Sequence, residues 1–376
     1  MIVLNLELDN IYGFNDFRIN FSYPKKIVNS TIDHEHLEGC PKFRYKKAVI
    51  LMGANATGKT TLGRILLRIF NYIESGNPIY LIQMASDRDR VARISIDFVN
   101  VDRILHRLVF TSRVDEKISP APLITIDHSS AKILKTDTYE TAVQKLTLRK
   151  DSVSVHGSLA KVFGPMQYSF ALDNEENNHQ TSKVKPELFL KVLKAVIGTL
   201  DPSLKDISVL EGVEDSYVIR RNEQEIILQK GKLTNQHLLS SGTIRGIDIA
   251  ILMASIITNQ NGFYYCDEHF SYIQTDLEKR MFSIMLENLQ ENEQLIFTTH
   301  NTDMLDLNLP KHTYAFLRKE KTDNHYDVSV MYASDVLKRN TDSIRCAAEN
   351  DVFSSIPDES LLDSLSDLQT LRKYQS

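Results

Sequence analysis

Three features of this 376-residue chain predict an α/β fold with a mixed central sheet. An unbroken apolar run, Ala48-Val-Ile-Leu-Met52, passes through a glycine-bearing segment into a helical pattern, Leu62–Ile69. Two later apolar runs, 262–266 and 294–298, each end in polar residues, with a helix-period stretch, Thr275–Leu289, between them. Continuous apolar strands joined by helices are what a sheet covered on both faces requires. Between the first run and the later two lies a β-rich region, Ala92–Phe98, Arg103–Phe110 and Pro122–Ile126, whose alternation reads as an antiparallel N-terminal lobe.

The remaining elements follow in chain order. Ile2–Leu8 and Phe17–Phe21 alternate around Gly13 and read as a hairpin. The polar stretch Tyr23–Lys47 carries His34, His36 and Cys40, whose spacing fits no common zinc pattern, so it reads as a surface loop. Residues 152–163 have a helical pattern, and the polar run Asp173–Lys183 reads as a linker or mobile loop. A helix at Glu187–Leu200 precedes a hairpin of Ile207–Glu211 and Tyr217–Gln229, giving a helical and β insertion after the lobe. Leu361, Leu362, Leu365 and Leu368 form a narrow helical stripe near the C-terminus; self-packing is the simpler reading, and docking to a partner the sharper one. No internal repeat or sustained heptad is present.

Composition narrows the setting. Three scattered cysteines, Cys40, Cys266 and Cys346, suit reduced thiols in a cytoplasmic protein. The N-terminal alternation is unlike a signal peptide, and no apolar run reaches membrane-spanning length. A net charge of −5 gives no global footprint for nucleic acid, although a local basic groove stays open.

The segment Gly53-Ala-Asn55-Ala56-Thr57-Gly58-Lys59-Thr60-Thr61 lies between strand and helix, where a phosphate-binding loop must lie. Its backbone N–H groups and helix dipole would cradle a nucleoside triphosphate such as ATP, Lys59 would reach the β/γ oxygens, and the Thr60 hydroxyl would ligate Mg2+. Three motifs follow. Leu239-Ser240-Ser241-Gly242-Thr243 opens a helical run to Ile257, so small hydroxyl residues sit at a helix start suited to an anion. An apolar strand, read as buried next to the strand that leads into the phosphate-binding loop, ends in Asp267-Glu268, with Asp267 placed to hold Mg2+ opposite Thr60 and Glu268 to polarise water. A third strand ends in Thr299-His300-Asn301, where His300 could hydrogen-bond a γ-phosphate. Thr275 and Glu278 read as a capping box on the intervening helix.

This ordered set resembles the ABC-type ATPase heads of the RecF, SMC and OLD group, and most of all the predicted ATPases grouped with abortive-infection AbiL and RloA proteins. Gly53–Thr61 is similar to their Walker A, Leu239–Thr243 to their signature, Asp267-Glu268 to their Walker B pair and His300 to their switch histidine. The resemblance covers nearly the whole chain. It implies a single head divided into an N-lobe (1–130), an insertion (131–235), a signature, Walker B and histidine region (236–335) and a C-terminal helical segment (336–376). It also implies ATP hydrolysis with Mg2+, and a homodimer or higher oligomer in which Ser240, Ser241 and Gly242 serve the partner's ATP. The implied setting is bacterial anti-phage defence with a separate effector protein. A DNA-repair ATPase of RecF type and an ATP-stabilised scaffold with little turnover are the alternatives. The chain departs from the pattern at Ser241 and Thr243 of the signature and at Ala347–Asp351, and it has no TOPRIM-like acidic cluster. Gln83 and Gln167 are candidates for the Q-loop glutamine, with Gln167 preferred.

Overall fold

The computed structural model describes residues 1–28, 30–100, 102–115, 119–148, 159–164, 166–172, 184–259, 262–321, 326–339 and 341–354. The chain opens with the antiparallel pair β1 (Ile2–Asp9) and β2 (Phe17–Asn20). A small hairpin, β3 (His36–Leu37) and β4 (Cys40–Arg44), then leads to β5 (Ala48–Met52) and helix α1 (Lys59–Ser75). After the short α2 (Ile79–Ile82) come β6 (Ala92–Val99), β7 (Ile104–Asp115) and β8 (Ser119–Lys132), then α3 (Tyr139–Val143), β9 (Thr147–Leu148) and α4 (Ala160–Phe163). Strand β10 (Tyr168–Ala171) and helix α5 (Pro186–Leu200) precede a meander of β11 (Leu204–Val209), β12 (Ser216–Arg221), β13 (Gln224–Gln229) and β14 (Lys232–Leu233). The last third holds α6 (Ser241–Ile257), β15 (Phe263–Asp267), α7 (Thr275–Asn288), β16 (Gln294–Thr298), β17 (Tyr314–Lys321), β18 (Tyr326–Tyr332), α8 (Ala333–Val336) and α9 (Ile344–Glu349).

These strands make an antiparallel lobe in the order β2-β1-β6-β7-β8-β9 and a central sheet in the order β10-β15-β16-β5-β17-β18. In the central sheet the strands from β10 to β17 are parallel, and β18 returns antiparallel. The mixed sheet, the antiparallel lobe and the helical and β insertion are therefore the architecture expected from the sequence. No helix among the described residues is long and apolar enough to cross a membrane.

Pleating divides the central strands between two cores, because successive side chains point to opposite faces. Val49 and Leu51 of β5, Phe263 and Tyr265 of β15, Ile296 of β16 and Leu317 of β17 join the core that contains Leu62, Leu66 and Phe70 of α1. Ile50, Met52, Tyr264, Cys266, Leu295, Phe297 and Phe316, from the same four strands, join the core that contains Ile247, Ile251 and Ala254 of α6. Helices α1 and α6 thus cover opposite faces of one sheet. Each fully buried Leu, Ile or Phe stabilises this packing by roughly 1.5–3 kcal/mol. Helix α1 stops at Gly76, whose left-handed backbone (φ 68°) lets its N–H reach the Tyr72 carbonyl.

Several details differ from expectation. The stretch Tyr23–Lys47 is partly ordered by the β3–β4 hairpin; Cys40 turns into the core, while exposed His34 pairs with Glu291 at 3.0 Å. Tyr217–Gln229 is two strands, broken where Asn222 takes a left-handed turn (φ 53°). Thr275 and Glu278 make no capping box: Gln274 precedes the first turn, and the Glu278 side chain faces inward. Of the helical run 152–163, only Ala160–Phe163 falls within a described helix. Residues 152–158, Asp173–Lys183 and the leucine stripe from Leu361 to Leu368 lie outside the described residues.

Candidate phosphate-binding site

The glycine-bearing loop is shaped by neighbours that leave no room for side chains. At Gly53 (φ 151°) a Cβ would stand 2.5 Å from the Leu317 carbonyl oxygen of β17. At Gly58 (φ 103°), the residue before α1, it would stand 2.7 Å from the Phe14 ring. Thr57 closes the loop by donating its hydroxyl to the Ala54 carbonyl at 2.8 Å, and Asn55 and Ala56 are exposed at its apex. The first turn of α1 is held from below, where the Tyr265 hydroxyl of β15 donates to the Lys59 carbonyl at 2.7 Å.

Five side chains from three segments converge beside this loop. Lys59 is buried, and its ammonium donates to the carbonyls of Gly53 (2.7 Å) and Ala54 (3.1 Å) while pairing with Glu268 Oε1 at 3.0 Å. Asp267 accepts hydrogen bonds from the hydroxyls of Thr60 and of Thr298, the latter at 2.8 Å. Burial raises the Asp267 carboxyl above its ordinary range, and those two hydrogen bonds oppose the rise. Glu268 has a left-handed backbone (φ 47°) at the strand end, and its N–H is held by Thr298 Oγ1 at 3.0 Å. The bend separates the two neighbouring carboxylates: one meets Thr60, the other Lys59.

Strand order differs from the sequence reading at this point. β15 does not lie beside β5; β16 lies between them, with Asp267 opposite Thr298 and Thr298 opposite Leu51. All three strands still end on the same edge, so the separation costs the site nothing. His300 follows β16 on that edge and is exposed. The residues on either side of it are clamped by Glu278 of α7, which accepts from Thr299 Oγ1 at 2.9 Å and Asn301 Nδ2 at 2.6 Å. Burial raises the Glu278 carboxyl, offset in part by these bonds. Of the Q-loop candidates, Gln167 sits at the start of β10, on the opposite edge of the sheet, where its carbonyl accepts from Gly262 and Phe263. Gln83 ends α2 and accepts from Arg68.

The segment Leu239–Thr243 is built differently. Ser240 caps α6, its Oγ accepting from the Thr243 N–H at 3.1 Å, while Ser240 and Ser241 are exposed. The helix therefore presents its start to solvent from the face of the sheet opposite α1. A Cβ on Gly242 would stand 3.2 Å from the Tyr272 carbonyl oxygen.

Other residues at this site had no local sequence signal. Tyr12 and Phe14 from the β1–β2 turn, Lys319 of β17 and Tyr326 of β18 line a groove of about 470 Å³ with Gly58 and Thr61. Lys319 reaches toward the Ala56 carbonyl (3.5 Å) and lies 4.8 Å from the Tyr326 ring centroid. These residues come from both ends of the chain, so only the fold assembles the groove. A close approach by Tyr265, whose ring would meet a Cβ on Gly63 at 2.6 Å, was equally invisible.

No family model and no curated protein matches the chain. Among solved structures, it is similar to an SMC head bound to the C-winged helix domain of ScpA, with 14% identity over 90% of this chain and 100% of that one, at a TM-score of 0.49. It is also similar to a Pyrococcus furiosus Smc head with an extended coiled coil, bound to the C-terminal domain of ScpA (12%, 89% and 98%, TM-score 0.47). A third is the recombination mediator RecF in its RecF-ATPrS structure (11%, 87% and 98%, TM-score 0.42). Likenesses of this degree assign neither activity nor partner, and the function rests on the geometry above.

Proposed function

We propose that this chain is an ATP-binding and ATP-hydrolysing head of ABC type that works as a head-to-tail dimer or higher oligomer. One observation carries the reading: Lys59, Thr60, Asp267 and Glu268 meet at one sheet edge, in contact as two pairs. Their chemistry fits a triphosphate and its metal. The Thr60 hydroxyl and the Asp267 carboxylate are hard oxygen donors already within hydrogen-bond reach, as a Mg2+ ion keeping most of its waters would need. That ion, when bound with ATP, would supply charge neutralisation at the β- and γ-oxygens. Lys59 would exchange its loop carbonyls and Glu268 for phosphate oxygens. Glu268, released from the lysine, would accept a proton from the attacking water. His300 would donate to the γ-phosphate, with Glu278 holding its backbone through Thr299 and Asn301. The groove beside Tyr12, Phe14 and Tyr326 offers aromatic surfaces for the nucleoside, adjacent to Gly58 and Thr61.

The position of the signature segment supports the oligomer. A helix start with capped, exposed serines on the face opposite α1 is suited to phosphate held by a second chain. Ser240, Ser241 and Gly242 of one chain would contact the γ-phosphate bound by Gly53–Thr61 of the other. The setting in anti-phage defence beside a separate effector rests on the sequence resemblance alone; co-purification of a genetically neighbouring toxic protein would support it.

Two substitutions test the assignment. Lys59→Ala should weaken ATP binding by about 10–100-fold, the worth of a charged hydrogen bond. Glu268→Gln should keep binding and lose most turnover, because the amide matches the carboxylate in shape and cannot accept the proton. Equilibrium nucleotide binding and steady-state phosphate release read both. Normal turnover by Glu268→Gln removes Glu268 from the chemistry.

A further inference from the structure

His269, the residue after Glu268, has a fully buried side chain and touches two elements at once. Its Nδ1 lies 2.7 Å from the Asp267 carbonyl oxygen, which can only accept, so Nδ1–H donates. Its Nε2 lies 3.1 Å from Asp248 Oδ2, two turns into α6. The ring thus ties the last backbone group of the Walker B strand to the helix that begins with the signature serines.

Further contacts make the loop after Glu268 a compact unit. The Glu268 carbonyl accepts from both the N–H (3.2 Å) and the hydroxyl (2.8 Å) of Ser271. Phe270 is buried in the α6 core, with its ring centroid 5.2 Å from that of Phe297 in β16. The Tyr272 carbonyl lies against Gly242 at the start of α6. Glu268 itself has a left-handed backbone, a conformation disfavoured for a residue with a side chain and held only when its surroundings enforce it. His269 grips the peptide immediately before that bend.

We propose that His269 and Asp248 are positioning residues: their bridge fixes the bend that presents Glu268 and makes it move with the chain's own signature helix. The inference deepens the proposed ATPase reading. It gives a physical route by which a partner's nucleotide at Ser240–Gly242 would adjust the carboxylate serving this chain's own nucleotide. Displacement of a reacting group by about 1 Å can cost on the order of 10²-fold in rate, so the bridge should matter to turnover far more than to binding.

The test uses the full chain with Asp248→Ala, Asp248→Asn, His269→Asn and the Asp248→Ala/His269→Asn pair. Asp248→Ala should lower kcat at least about tenfold and leave equilibrium ATP binding within about twofold. Asp248→Asn keeps a side chain of the same shape that can either donate to or accept from Nε2 and should recover most of the loss. The pair should be no slower than the worse single variant, since both remove one bridge. Hydrogen exchange of amides 267–272 supplies a readout independent of hydrolysis: it should quicken in Asp248→Ala and stay unchanged at 53–61. If the wild-type chain proves inactive, the ATPase reading fails, and quickened exchange still upholds the bridge. If Asp248→Ala is too unstable to purify, the same kcat and exchange effects in His269→Asn decide. Full turnover in folded single variants, strictly additive losses, or unchanged exchange at 267–272 would overturn the inference.

Discussion

The two helix starts proposed to meet phosphate, at Lys59 and at Ser241, are built on opposite plans. The first is enclosed. Its loop is pressed between Leu317, Phe14 and Thr57, its lysine is buried, and it faces carboxylates from the same chain. The second is open, with two exposed serines, a capping hydrogen bond from Ser240 and the Tyr272 carbonyl against Gly242. An enclosed start can complete its half of a site alone. An open one on the far face of the sheet gains a function only when something is brought to it, and in the proposed dimer a second copy of the chain would carry the matching half.

Substitutions at matched positions should break or sharpen that contrast. The largest effect is expected at Gly53, where a methyl group would overlap the Leu317 carbonyl in a region of φ that side chains avoid. Gly53→Ala should cost about 3 kcal/mol, the upper end of overpacking penalties, read as a lower urea midpoint. It should also abolish nucleotide binding. Equal stability for Gly53→Ala and wild type would mean the loop is less constrained than its contacts imply. At the open start, Ser240→Ala should remove only the cap, about 1 kcal/mol, while turnover falls and ATP binding persists. Unaltered turnover there would leave the serine a cap and nothing more.

A third effect, read in pH dependence, lies away from both starts. Lys46 is buried, with its ammonium donating to the Asn20 and Ser22 carbonyls and lying 3.8 Å from the Tyr332 ring centroid. Burial lowers its pKa from 10.5 to about 7. Between those values the unfolded chain binds the proton and the folded one does not, so stability should rise with pH from about 7 toward 10.5. Lys46→Met should flatten that rise in thermal unfolding profiles. An unchanged slope would assign it to other groups.

The enclosed start was legible in the sequence because its determinants are local: an apolar strand, two glycines and a lysine within twelve residues, followed by helical periodicity. The paired carboxylates that end β15, Asp267 and Glu268, were legible for the same reason. Strand order was not, since nothing in the residues of β15 or β16 says which of them adjoins β5; that depends on how the helices pack. Glu278 was misread because a glutamate three residues after a threonine at a helix start is usually a capping residue, whereas here Thr299 and Asn301 draw it inward. The aromatic groove was out of reach, because Phe14 and Tyr326 stand more than 300 residues apart.

Subunit mixing tests most directly whether the open start serves the partner's nucleotide. Lys59→Ala loses the enclosed half of the site, and Gly242→Asp loses the open half, because a carboxylate there repels the γ-phosphate. Each variant alone should be inactive. Mixed dimers retain one site with both halves intact, so phosphate release should return to as much as about half the wild-type rate per mixed dimer, provided one intact site turns over independently. Formation of mixed dimers, shown by differently tagged chains, with no recovery of phosphate release would contradict the shared site.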